Sequence, residues 1–127
     1  MKLRIVVADD SPSFLKKMIS ILEVEFDVVK AALDGLASLE IIRDCQPDVV
    51  VLDLDMPGLN GIEITRELMK QSPRPAIVIC TVETDQEIVK AAQKTGALGY
   101  VFKSRAARDL NAAVKAAARG ESFISRD

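Results

Sequence analysis

The sequence predicts an α/β domain: one parallel sheet with helices on both faces. Three observations predict it. Five apolar runs of strand length alternate with five segments whose apolar residues recur at helical spacing. The connections are short, and strict alternation with short connections gives parallel strands joined by right-handed crossovers. The run at 49–52 (Val49, Val50, Val51, Leu52) is apolar throughout and β-branched, the pattern of a parallel strand covered on both faces. A chain of 127 residues makes one domain and can bury a core without disulfides or a structural metal.

The elements follow in order. Residues 3–8 form the first strand, which ends at Asp9 and Asp10. Ser11 caps the next helix and Pro12 takes its first position. Phe14, Leu15, Met18, Ile19 and Leu22 then mark an amphipathic helix to about Glu23. Residues 26–31 read as a weaker second strand. Asp34 caps a second helix that ends near Asp44, with Leu36, Leu39 and either Ile41 or Ile42 inward. Pro47 closes the connection to the strand at 49–52. Asn60 and Glu63 have capping-box spacing for a third helix to about Lys70. Pro73 and Pro75 break the chain before a strand at 76–80. Thr84 and Glu87 form a second capping-box pair, opening a helix to about Lys94 that Gly96 ends. A fifth strand covers 98–102. Ser104 caps the last helix, which turns Ala106, Leu110, Ala113, Val114 and Ala117 to one face and stops at Gly120. The domain is expected over 1–120, with 121–127 as a short tail or the start of a linker.

Composition removes several function classes. The net charge of −2 gives no basic footprint for nucleic acid. The chain has no histidine, so it offers no His general base or His metal ligand, and any phosphohistidine step belongs to another molecule. No phosphate-cradling glycine loop ending in Lys and Ser or Thr occurs. Cys45 and Cys80 lack zinc-type spacing and read as reduced thiols of a cytoplasmic protein. The apolar run after Arg4 is too short for an export signal or a membrane span.

What remains is a set of polar residues at strand ends. The first strand ends at Asp9 and Asp10, the third at Asp53, the fourth at Thr81 and the fifth at Lys103. Strands of a parallel sheet point one way, so these side chains share one edge, the edge where such sheets bind ligands. Taken singly, each is an ordinary cap, surface or strand residue. Together they combine three carboxylates with a hydroxyl and an ammonium. Adjacent carboxylates disfavour one another's ionised form, so the group calls for a cation. Oxygen-only ligands point to Mg²⁺ or Mn²⁺. Lys103 and Thr81 suit the anionic oxygens of a phosphoryl group. A carboxylate nucleophile, a metal and a Lys clamp make a phosphoryl-transfer site.

On Asp9-Asp10, the stretch DLDMPGLNG carrying Asp53, Thr81, and GYVFKS carrying Lys103, the chain resembles the CheY-like receiver domains of response regulators over about residues 3 to 120. The resemblance implies a flavodoxin-like five-stranded sheet of order 2-1-3-4-5. It implies that Asp53 accepts a phosphoryl group from a sensor histidine kinase, and that the chain is a phosphoacceptor rather than an enzyme. Asp10 and Asp53 would bind Mg²⁺ directly, with the backbone carbonyl of Asp55, and Asp9 mainly through water. Thr81 and Lys103 would take phosphoryl oxygens. Tyr100 stands at the family's switch position, on an output face made by the fourth helix, fifth strand and fifth helix that is also a possible homodimer surface. Val82 sits where its bulk would slow access of small phosphodonors or phosphatases, and the charges of Asp55 and Glu83 where they would alter the lifetime of the phosphoaspartate.

GALGYVFKS, the alanine-rich last helix and AARGESFIS are similar to receivers of NarL/LuxR-type transcriptional regulators. That likeness implies control of transcription through a DNA-binding domain outside this sequence, with no nucleic acid or membrane bound by these residues themselves. Three other readings stand beside it. One is a standalone CheY-like signalling regulator. Another is a phosphatase similar to haloacid dehalogenases, with Asp53 and Asp55 as its D-x-D pair. The third is a binding module of the same fold regulated without phosphate.

Overall fold

A computed structural model describes residues 2–126; Met1 and Asp127, the outer ends of the expected domain and tail, lie outside the described residues. The elements are β1 (Arg4–Ala8), α1 (Pro12–Leu22), β2 (Asp27–Ala32), α2 (Gly35–Cys45), β3 (Val49–Leu52), α3 (Gly61–Leu68), β4 (Ala76–Thr81), α4 (Gln86–Thr95), β5 (Gly99–Phe102), a 3₁₀ turn (Lys103–Arg105), α5 (Ala106–Ala118) and β6 (Phe123–Ile124). The sheet order is β2-β1-β3-β4-β5-β6, with every neighbouring pair parallel.

The expected five strands are therefore six. Gly120 adopts φ 78 and turns the chain back after α5. The Phe123 amide then donates to the Leu98 carbonyl at 3.0 Å and the Ser125 amide to the Tyr100 carbonyl at 2.9 Å. A two-residue strand carries no periodicity, so nothing in its own residues marks it.

The strands alternate between two cores, as a period of two requires. Val6, Val50, Ile77, Ile79 and Tyr100 face α2, α3 and α4, where Leu39, Ile42, Ile64, Leu68 and Val89 meet them. Ile5, Val7, Val49, Val51, Val78 and Val101 face α1 and α5, against Leu15, Met18, Leu22, Leu110 and Val114. Each fully buried aliphatic side chain contributes about 1.5–3 kcal/mol of transfer free energy.

Caps hold the helix starts that feed the sheet edge. Ser11 Oγ accepts from the Phe14 amide at 3.3 Å, Asp34 Oδ1 from Ala37 at 2.8 Å, and Asn60 and Glu63 close their capping box. Two expected caps differ. Asp85, not Thr84, caps α4, because its carboxylate reaches the Glu87 amide at 2.8 Å. Ser104 falls inside the 3₁₀ turn, and α5 starts without a side-chain cap. Leu36 is also not inward: it is 63% exposed, lying in the first turn of α2 against Gly58. Among the described residues, no helix is long and apolar enough to cross a membrane.

Candidate functional site

The end of the sheet holds its polar residues through the ladder itself. The Asp9 amide donates to the Ala32 carbonyl at 3.1 Å and the Asp53 amide to the Ala8 carbonyl at 3.0 Å. Both side chains therefore leave the sheet from paired backbone. After Asp53 the chain turns into α3, and the Gly61 amide returns to the Leu54 carbonyl at 3.0 Å. A Cβ on Gly61 would stand 2.5 Å from the Asp53 carbonyl oxygen, so only glycine lets α3 start this close to the strand end.

Asp9, Asp10 and Asp53 come together, each offering an oxygen within 4.8 Å of the others. Asp9 and Asp53 are buried and Asp10 is exposed. Lys103 Nζ reaches between them, 3.0 Å from Asp53 Oδ2 and 2.7 Å from Asp9 Oδ2. Asp9 Oδ2 is buried and rests on its ion pair with the Lys103 ammonium. Asp9 Oδ1 is satisfied by the Ser11 amide at 2.8 Å. The other face of the Lys103 ammonium meets the Phe14 ring, 4.5 Å from its centroid.

Asp55 stands apart from this cluster. Its side chain is exposed, and it reaches Asp53 through its backbone amide, 3.4 Å from Asp53 Oδ1. Thr81 is fully buried at the end of β4, paired in register with Phe102, the residue before Lys103. Its hydroxyl accepts from the Glu83 amide at 3.4 Å, and Tyr100 Oη donates to the Glu83 carbonyl at 2.9 Å. The Tyr100 ring is buried, so Thr81 and Tyr100 hold the same loop residue from opposite ends. Val82 in that loop is exposed.

The charges are strained in the way the spacing predicts. Burial pushes the Asp53 carboxyl up, and the Asp9 charge pushes it further against the opposing pull of Lys103. Burial pulls Lys103 down, but its bonds to Asp9 and Asp53 outweigh that and leave it raised. The neighbouring Cys80 thiol is pushed up to about 12 by burial and takes no part as a thiolate. An all-carboxylate donor set of three, with one lysine as its internal cation, fits a hard divalent cation such as Mg²⁺.

Two features have no signal in the sequence pattern. Phe14 reads as a core residue of α1, yet its ring lies on the site lysine. Ser125 and Asp109 are buried beside β5 and bonded to each other at 2.7 Å, sixteen residues apart.

A family model described as the response regulator receiver domain matches residues 5–115. The chain is 37% identical over 125 residues to the transcriptional regulatory protein DegU of Brevibacillus brevis, covering 97% of this chain and 53% of that protein. It is 36% identical over 124 residues to the nitrate/nitrite response regulator protein NarL of Escherichia coli strain K12, covering 95% and 57%. A solved LuxR-family two-component response regulator from Aurantimonas sp. SI85-9A1 superposes with a TM-score of 0.91 at 31% identity, covering 98% of this chain and 90% of that one. The chain spans about half the length of the curated relatives it matches. With the match running from β1 into α5 and the acidic residues gathered at the sheet edge, this chain belongs to the response regulator receiver domain family.

Proposed function

We propose that Asp53 is the phosphoryl acceptor of this receiver, and that Asp9, Asp10 and Asp53, with the backbone carbonyl of Asp55, hold Mg²⁺. One observation carries the reading: a single lysine ammonium is held between two buried carboxylates, with a third carboxylate beside them. In the reaction an Asp53 oxygen attacks phosphorus while the phosphorus–nitrogen bond to a donor histidine breaks. The imidazole keeps the electron pair of that bond, and Asp53 becomes an acyl phosphate. Lys103 and Thr81 take the equatorial oxygens, one as a charge and one as a hydroxyl donor. Mg²⁺ bound there supplies neutralisation of the developing oxygen charge. The protein is consumed stoichiometrically, so it acts as a phosphoacceptor and not as an enzyme. Membership of the receiver family leaves the haloacid-dehalogenase-like reading of Asp53 and Asp55 without support.

The donor is a sensor histidine kinase, and the setting is cytoplasmic. The output surface is the face of α4, β5 and α5 with Tyr100, which is also the face for a homodimer. DegU is named a transcriptional regulatory protein, and DegU and NarL are about twice as long as this chain, which supports a transcriptional output executed by residues beyond those given.

The test is direct. With a small phosphodonor such as acetyl phosphate and Mg²⁺, mass analysis of the denatured protein should show one phosphoryl increment on Asp53, lost in Asp53→Asn. A wild-type chain that takes up no phosphoryl group, while a known receiver in the same tube does, overturns the reading and leaves regulation without phosphate.

A further inference from the structure

We propose that Phe14 is a positioning residue for Lys103: its ring face holds the ammonium at the mouth of the pocket when the carboxylates release it. The inference rests on the reading that Lys103 meets the phosphoryl oxygens. Among the described residues Lys103 has three partners. Asp53 Oδ2 lies at 3.0 Å, Asp9 Oδ2 at 2.7 Å, and the Phe14 centroid at 4.5 Å. The two carboxylates are also the oxygens offered to a divalent cation. Once they turn to a cation, Lys103 loses its anchors, and a long flexible lysine stem favours return to water. The ring offers nothing to that cation's inner coordination, so its attraction for the ammonium persists. Among the described residues, Phe14 is the partner of Lys103 that does not compete for the same charges.

The ring is registered to the site by short links. The Ser11 amide bonds Asp9 Oδ1 at 2.8 Å, and Ser11 Oγ accepts from the Phe14 amide at 3.3 Å. The start of α1 is thus tied to a site carboxylate, and the ring follows. Phe14 is half-buried against the α1 and α5 core. Lys17 Nζ also approaches the ring, but at 5.7 Å and from an exposed position on the same helix. It cannot replace Lys103 in the pocket.

The experiment compares Phe14→Leu and Phe14→Met, which keep apolar bulk without a ring face, with Phe14→Tyr, which keeps the face. Two ring-free variants guard against one that fails to fold. In the metal-free protein, the Lys103 Hε resonances should carry an upfield ring-current shift in wild type and Phe14→Tyr, and lose it in Phe14→Leu and Phe14→Met. With acetyl phosphate and Mg²⁺, the ring-free variants should lose about three- to tenfold in the maximal phosphorylation rate. The donor KM and the Mg²⁺ affinity should stay unchanged, and Phe14→Tyr should restore the rate to within about twofold of wild type. On a Lys103→Met background, Phe14→Leu should have no further effect on the rate.

An equal slowing on both backgrounds, or a change confined to KM, overturns the inference, because the residue then acts by packing or access. So does an unchanged rate in the ring-free variants. Absence of any Asp53 adduct in wild type removes the phosphoacceptor reading and this inference with it, an outcome separate from the others.

Discussion

Two buried polar groups lie close to β5, and they are built in opposite ways. At the sheet edge buried Asp9 and Asp53 share one lysine, with the exposed carboxylate of Asp10 beside them. Beside the outer strand, Asp109 is fully supplied. Arg108 donates to both its oxygens at 2.7 and 2.9 Å, and Ser125 Oγ adds a third bond at 2.7 Å. Ser125 Oγ also accepts from the buried Phe102 amide at 3.1 Å. The titration directions follow suit. Burial, with Asp9 beside it, pushes Asp53 up, while the Arg108 guanidinium holds Asp109 down. A buried polar group with every bond made fastens the chain. One left short of cations is a place for a ligand.

The largest effect should come from taking the lysine out of the sheet-edge group. Lys103→Met leaves buried Asp9 and Asp53 facing each other beside Asp10 with no internal cation. Breaking a buried pair from one side costs about 3 kcal/mol. Urea denaturation of the metal-free variant should show that loss, and saturating Mg²⁺ should recover most of it, because a cation bound only to the folded state adds its binding free energy to stability. Variants of the Ser125–Asp109 group keep the carboxylate cluster, so the same Mg²⁺ should raise them only as much as it raises wild type and leave their deficit unchanged. If Mg²⁺ stabilises both kinds of variant equally, the contrast between the two groups is lost.

These two groups also differ in how far a reader of residues gets. Asp9, Asp10, Asp53, Thr81 and Lys103 each follow an apolar run, and parallel alternation carries every run's end to one edge. Their placement at one edge follows from topology alone. Ser125 and Asp109 obey no such rule: one lies just past a two-residue strand, the other on α5, and only the φ 78 turn at Gly120 brings them together. The sixth strand is hidden for the same reason. Leu36 fits the helical period yet sits in a first turn whose outer side faces a loop. Thr84 and Glu87 have the right spacing for a cap, but a carboxylate one residue later wins the free amides of α4. Phe14 matches the period of a core residue, and periodicity does not say where along its helix a ring meets a neighbour.

A smaller effect should come from unfastening the satisfied group. Ser125→Ala removes a donor to Asp109 and leaves the Phe102 amide without its acceptor, a loss of about 1–2 kcal/mol. Hydrogen exchange at the Phe102 and Ser125 amides should accelerate relative to wild type, while amides of β1 and β3 keep their protection. Phosphoryl uptake on Asp53 should remain. If instead the site lysine loosens along with β6, the two groups are one unit and the comparison must be redrawn.

The smallest effects, and the most specific to each group, are in pH dependence. Asp109 has its carboxyl held below the ordinary range, so its ionised form favours folding. That contribution is complete above about pH 4 and is lost as pH falls through the lowered value. Asp109→Asn should therefore differ from wild type most near neutrality, with the gap closing on acidification. Asp53 is raised, and the sign reverses. Between its unfolded value near pH 4 and its raised folded value, the folded state holds the extra proton, so stability falls as pH rises. Metal-free Asp53→Asn lacks that cost, and its stability relative to wild type should climb with pH across this window. Denaturation midpoints of both variants from acid to neutral pH should therefore diverge from wild type in opposite directions. Parallel curves would mean that the two carboxylates are held alike, and the contrast between the two groups would not extend to their titration.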